Sequence, residues 1–367
     1  MDKILFLALI VLLLVPCRNA EPKFSPEFEG LGELENLDVE GNGEEEFEFL
    51  ELPSWESDRA SKILVNVDAF GAAGDGTSDD TQAFVNAWKQ ACSTPKSVLL
   101  VPEGRRYLVN ATRFTGPCAD KLVIQIEGTI VAPDEPKNWD PKNSRNWLDF
   151  SNLTKVLFQG GGVIDGSGGD DCISIVNASS NIKMKTIYCG PGHGISIGSL
   201  GKDNSIGIVE NIVLDNAFLR ASTNGLRIKT WQGGSGYVRA VRYQNVMMQD
   251  VSNPIIIDQF YCDSPSACQN QTSAVAISQI MYRNISGTSR SQKAMKFACS
   301  DTVPCTHIVL NNINLQRKDG TVETYCNSAA GFGYGYVQPS AECLSSSDKD
   351  NINKPEEEEE YFIHTEL

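Results

Sequence analysis

The hydrophobic positions of the central chain fall into short alternating runs, not helical stripes. Asp171-Cys172-Ile173-Ser174-Ile175 is followed by Gly194-Ile195-Ser196-Ile197, Gly225-Leu226-Arg227-Ile228-Lys229, Pro254-Ile255-Ile256-Ile257 and Ala294-Met295-Lys296-Phe297. Their first apolar residues, Ile173, Ile195, Leu226, Ile255 and Met295, lie 22, 31, 29 and 40 residues apart. Alternation of period two puts Ile195 and Ile197 on one side of a strand and Ser196 on the other. Second runs sit between the first ones: Ile182-Lys183-Met184, Ile212-Val213-Leu214 and Val246-Met247-Met248, preceded by Asn181, Asn211 and Asn245. Short strands recurring at this period without a helical signal predict a solenoid of stacked coils. An all-β sandwich also needs many short strands, but it would not force polar residues into one column. A parallel β-helix does. Arg227 and Lys229 share the parity of Ser174 and Ser196, so they are expected on the outward face together.

The start of this body reads differently. Ile63–Val67 predicts a strand, and Asp79 is placed to cap a helix with Gln82 as its capping-box partner. Ala83, Phe84, Ala87, Trp88 and Ala91 form the apolar stripe of that helix. A solenoid exposes the core of its first coil, and an amphipathic helix laid across it would cover it.

The ends change the picture through charge. Met1–Ala20 reads as a secretory signal peptide: Lys3 precedes an unbroken apolar run, Ile4–Val15. Twelve residues fall short of the roughly 20 that span a bilayer, so an exported chain without a membrane anchor is expected. Residues 21–61 are acidic and lack apolar periodicity, and so does the tail, 348–367 with Glu356–Glu360. Both are expected to be solvated and disordered. The whole chain carries −16, yet the stretch from Ser61 to Ser347 carries only +1. The acidic total therefore does not exclude a polyanionic ligand for the β-helix body, 62–347.

Ten cysteines remain after the leader: Cys92, Cys118, Cys172, Cys189, Cys262, Cys268, Cys299, Cys305, Cys326 and Cys343. An even number in an exported chain predicts disulfides, with neighbours along the solenoid the natural pairs. No Cys-x-x-Cys or paired histidine accompanies them, so no metal is expected. Five Asn-x-Ser/Thr triplets, at Asn110, Asn152, Asn177, Asn270 and Asn284, fit secretion.

Candidate chemistry gathers in three segments. Gly169-Asp170-Asp171, Gly192-His193-Gly194 and Arg227-Ile228-Lys229 bring two carboxylates, an imidazole and two cations onto successive runs of the repeat. Paired carboxylates beside fixed cations suit acid/base hydrolysis of an anionic substrate. In this order the motifs resemble those of plant polygalacturonases, pectin-degrading glycoside hydrolases of the right-handed parallel β-helix fold. The resemblance covers roughly Val65 to Cys343 and includes Phe70-Gly71-Ala72-Ala73-Gly74-Asp75-Gly76 and Asn253-Pro254-Ile255-Ile256-Ile257-Asp258-Gln259.

The resemblance implies inverting hydrolysis of α-1,4-galacturonosidic bonds of cell-wall pectin by a secreted monomer. No cofactor, nucleic acid or membrane is implied. Asp170 would be the general acid and Asp171 would help activate water. His193 would tune the acid's protonation. Arg227 and Lys229 would hold the galacturonate carboxylate, the first as a fork and the second as a point charge. Tyr261 would line the cleft. The same resemblance implies a Cys172–Cys189 disulfide beside the site.

One feature departs from the family. Its members carry an Asn-Thr-Asp motif on the coil before Gly-Asp-Asp, and that aspartate joins the catalytic group. Here Val163-Ile164-Asp165-Gly166-Ser167-Gly168 runs straight into Gly169. Several coils are thus expected to be absent, with the join in phase, since each coil of a solenoid contacts only its neighbours. Asp165 has the chemistry to replace the lost carboxylate. Two alternatives follow: a pectin-binding β-helix with little or no activity, or a hydrolase of substituted pectin such as xylogalacturonan or rhamnogalacturonan.

Overall fold

The computed structural model describes residues 62–133, 147–166, 171–264 and 268–345. The expected leader, both acidic ends and Asp170 lie outside the described residues. Among the described residues, parallel strands stack into an eight-stranded and a fourteen-stranded sheet. The eight-stranded sheet contains the first runs of the repeat in order. Ile173–Ile175 pairs with Ile195–Leu200, then come Asn224–Thr230, Asn253–Asp258, Lys293–Ala298 and Glu323–Asn327. The second runs stack in the larger sheet, as Ile182↔Ile212↔Val241↔Ile280↔Ile308 shows. This is a parallel β-helix.

The inward column is apolar from Ile173 to Met295. Ile173, Ile195, Leu226, Ile255 and Met295 are each at most 1% exposed, and each fully buried side chain of this size contributes about 1.5–3 kcal/mol. The asparagines ahead of the second runs have a conformational cause. Asn181, Asn211, Asn245, Asn284 and Asn312 all bend the chain at φ 51–56°, a left-handed region that asparagine tolerates better than most residues. Their amides also donate between coils: Asn211 to Asn181 (3.3 Å), Asn284 to Asn245 (3.1 Å) and Asn312 to Asn284 (3.3 Å).

The helix Thr81–Ser93 buries Ala83, Phe84, Ala87, Trp88 and Ala91, the stripe read from the sequence. Trp88 packs on Phe114 at 5.1 Å and Phe150 at 6.3 Å, and Phe84 on Tyr107 at 5.5 Å. The end of the helix differs from expectation. Asp80, not Asp79, holds the N-cap position, because its carboxylate accepts from the Ala73 and Gly74 N–H groups. Asp79 instead accepts from the Thr81 N–H at 2.9 Å, and the Gln82 amide donates to Asn86. No capping box forms.

All ten cysteines pair with chain neighbours: Cys92–Cys118, Cys172–Cys189, Cys262–Cys268, Cys299–Cys305 and Cys326–Cys343. The join at the shortened segment is in phase. Leu148–Ser151 pairs directly with Ile173–Ile175 through Asp149↔Ser174 and Phe150↔Ile175. Thr154–Gln159 pairs with Ser179–Cys189, and Val163–Asp165 lies on Tyr188–Cys189. No helix among the described residues is long and apolar enough to cross a membrane.

Candidate active site

The outward column of the eight-stranded sheet runs Arg113, Asp149, Ser174, Ser196, Arg227 by register. Asp171 and His193 each stand two residues ahead of a paired isoleucine, Ile173 and Ile195, at equivalent places on adjoining coils. The Cys172 N–H donates to the Gly194 carbonyl at 2.8 Å, so the two coils are tied where these side chains leave the backbone. Gly194 is needed here. Its φ is +86°, and a Cβ would lie 2.0 Å from the Asn224 carbonyl oxygen. Gly192 on the other side of His193 accepts from the Thr223 N–H at 2.8 Å. The half-buried His193 is therefore held between two anchored glycines.

Asp171 is the centre of the cluster. Arg227 Nη2 approaches its Oδ1 at 2.7 Å and Lys229 Nζ its Oδ2 at 2.6 Å, joining residues 56 and 58 positions apart in sequence. Ser196 Oγ donates to Asp171 Oδ1 at 2.7 Å and accepts from Arg227 Nε at 3.0 Å. Asp171 is wholly enclosed, and Lys229 is 2% exposed. Burial alone would push this carboxyl up. The Arg227 and Lys229 charges, with the Lys229 and Ser196 hydrogen bonds, outweigh it and hold Asp171 below the usual carboxylate range.

Tyr261 completes the group. Its ring lies 5.4 Å from Lys229 Nζ and 5.9 Å from the Arg227 guanidinium carbon, while its N–H donates to the Thr230 carbonyl. Its other side meets Trp231 edge-on at 5.5 Å. Five of the six residues singled out from the sequence are described. Asp171, Arg227, Lys229 and Tyr261 form one cluster, and His193 stands on the coil next to Asp171. Asp165 is held by Arg106 at 3.4 Å on the strand Val163–Asp165, which belongs to the larger sheet.

Arg227 and Lys229 leave the strand on the outward face, as their parity requires, but they do not stand open to solvent. The outward Ser174 and Ser196 are also fully buried. Parity fixes which face a side chain leaves from and says nothing of what encloses it. Sequence reasoning missed two further residues. Ser196 links Asp171 to Arg227, and its only signal was its place in register with Arg227. Asp149, 2% exposed and paired with Arg113 at 2.8 Å, puts a carboxylate on the same column one rung before Ser174.

Comparisons with known proteins show the family. The family model described as glycosyl hydrolases family 28 matches residues 92–169 and 167–332. A probable polygalacturonase of Arabidopsis thaliana is 37% identical over 393 residues, covering 81% of this chain and 88% of its own. The polygalacturonase of Persea americana is 37% identical over 350 residues, covering 71% of this chain and 75% of its own. An alignment of 393 residues that uses 81% of a 367-residue chain must leave part of the Arabidopsis protein without a counterpart. The family match breaks at 167–169, where the sequence runs straight from Asp165 into Asp170-Asp171.

Among solved structures, a galactohydrolase of sulfated galactans has a TM-score of 0.51 at 15% identity, covering 72% of this chain. An iota-carrageenase bound to carrageenan fragments has a TM-score of 0.50 at 14% identity, covering 77%. This chain spans 62% of the length of each. They establish the fold as a right-handed parallel β-helix. By family match and by relatives, the chain belongs to glycosyl hydrolase family 28 and is a glycosidase.

Proposed function

We propose that this protein hydrolyses α-1,4 bonds between galacturonic acid units of cell-wall pectin, with inversion, in the extracellular wall. The cluster that supports this is the buried triad of Asp171, Arg227 and Lys229, which together carry one positive charge at the coil bearing the Asp-Asp pair. Inversion needs one carboxylic acid for the leaving oxygen and one carboxylate for the attacking water. Asp171, held ionised by two cations, cannot keep the acid's proton. That leaves its sequence neighbour Asp170 for the general acid.

Arg227 is the member of the triad nearer the solvent, with a side chain 12% exposed. Its planar guanidinium suits a uronate carboxylate. Lys229 anchors Asp171 and adds its charge through a short distance. His193, at the place equivalent to Asp171 on the next coil, adjusts the proton affinity of the acid. Tyr261 supplies a ring face against which a sugar can lie, beside both cations. The leader Met1–Ala20 and the five disulfides support export into an oxidising compartment.

The missing block favours a second reading, a pectin-binding β-helix whose turnover is lost with the family's third carboxylate. Release of new reducing ends from polygalacturonic acid at pH 4–6 separates the two. The test uses the chain beside a version with the absent coils restored. Turnover by the chain itself supports hydrolysis. Binding without turnover, gained only on restoring the coils, supports the binding protein. Turnover only on branched pectin would overturn the choice of substrate.

A further inference from the structure

The outward column that holds Arg227 continues past it. Register carries the column from Arg227 to Ile256, Lys296 and Tyr325 on the next three coils. Ile256 is 7% exposed, so Lys296 is the next polar side chain of the column to reach solvent, at 34% exposure. Its ammonium stands 3.8 Å from Asp258 Oδ2, while Asp258 Oδ1 accepts from the Phe260 N–H. Asp258 is in register with Lys229, which links this position to the active cluster. On the far side, the Tyr325 ring has Lys293 Nζ 5.1 Å from its centroid, and Lys293 is exposed.

We propose that Lys296, with Tyr325 and Lys293, forms a second uronate subsite on the same face, two rungs from Arg227. This rests on the galacturonan reading of the site above. Rungs about 4.8 Å apart put the Arg227 and Lys296 backbones about 10 Å apart, the order of a disaccharide. A polyuronide repeats one carboxylate per sugar, and the column repeats a cation with an apolar residue between. A compact ammonium binds a carboxylate as a point charge from many directions. The Lys296–Asp258 distance exceeds that of a close charged hydrogen bond, about 2.7–2.9 Å. Such a partly exposed pair is weakly held and exchanges readily for an incoming uronate. At the opposite end of the column, Arg113 is committed to Asp149 at 2.8 Å. The subsite therefore lies on the C-terminal side of the cleavage point.

The test is calorimetric binding of a galacturonate hexamer and its methyl-esterified counterpart. The proteins are the unsubstituted chain, Lys296→Ala, Tyr325→Leu and the control Lys318→Ala on an exposed lysine of the Arg317–Gly320 turn. Lys296→Ala is expected to weaken the unesterified hexamer five- to tenfold and leave the esterified one unchanged. Tyr325→Leu is expected to weaken both. Equal loss in Lys318→Ala, or no loss in Lys296→Ala, overturns the subsite. Binding without any turnover leaves the subsite standing and removes only the hydrolytic reading, whereas no binding by the unsubstituted chain overturns both.

Discussion

Lys229 Nζ stands 2.6 Å from Asp171 Oδ2, and neither side chain is more than 3% exposed. A buried pair of this kind costs much to desolvate, and breaking it is worse than never having built it. Lys229→Met takes away one of the two cations that neutralise the buried Asp171, and is expected to lower unfolding stability by about 3–5 kcal/mol. Asp171→Asn combined with Lys229→Met should recover a large part of that loss. Denaturant midpoints of the two variants measure it. A Lys229→Met protein as stable as the parent would mean the pair does not hold the coil.

The same carboxylate makes stability depend on pH in a definite direction. The folded Asp171 carboxyl lies below its ordinary value of 3.8. Its contribution is therefore fully present above about pH 4 and is lost as pH falls through the folded value. The melting-temperature gap between the parent and Asp171→Asn should stay level from pH 7 to about 4.5 and narrow below that. A gap that widens on acidification would contradict the assignment.

Gly194 fixes where His193 stands. Gly194→Ala puts a methyl group against the Asn224 carbonyl in a backbone conformation alanine resists. The chain must shift there, and a displacement near 1 Å at a reacting group costs about 10²-fold in rate. Steady-state kcat on polygalacturonate should fall by that order, while a double Cys326→Ser/Cys343→Ser variant, far along the solenoid, should keep its kcat.

The Cys172–Cys189 bridge closes a loop of 17 residues beside Asp171, for which chain entropy suggests about 3 kcal/mol. Cys326–Cys343 has the same separation. Removing either pair should lower stability similarly, but only the first should also lower kcat. Equal kcat in the two double variants would show that the first bridge does not position the site.

The solenoid and its inward column were legible because period-two alternation repeats on coil after coil, and the capping helix because Ala83, Phe84, Ala87, Trp88 and Ala91 recur at helical spacing. The register of Ile173 with Ile195 and Leu226 follows from the same period-two alternation. Other features were not legible, for local reasons. Two adjacent aspartates, Asp79 and Asp80, both suit a cap, and the choice was made by the Ala73 and Gly74 N–H groups, which only the folded loop brings near. Serine is too common in such runs for Ser196 to announce that it joins Asp171 to Arg227. Enclosure of the outward column depends on packing across coils, which no single run of sequence carries. The in-phase join could be read from the one-dimensional contacts of a solenoid, in which each coil meets only its neighbours.

The most direct test of the hydrolytic assignment is reducing-end release from polygalacturonic acid by the parent chain and Asp170→Asn, at matched folding by circular dichroism. Turnover by the parent at mildly acidic pH, abolished in Asp170→Asn with binding intact, is the expected result. Undiminished turnover in Asp170→Asn would contradict it.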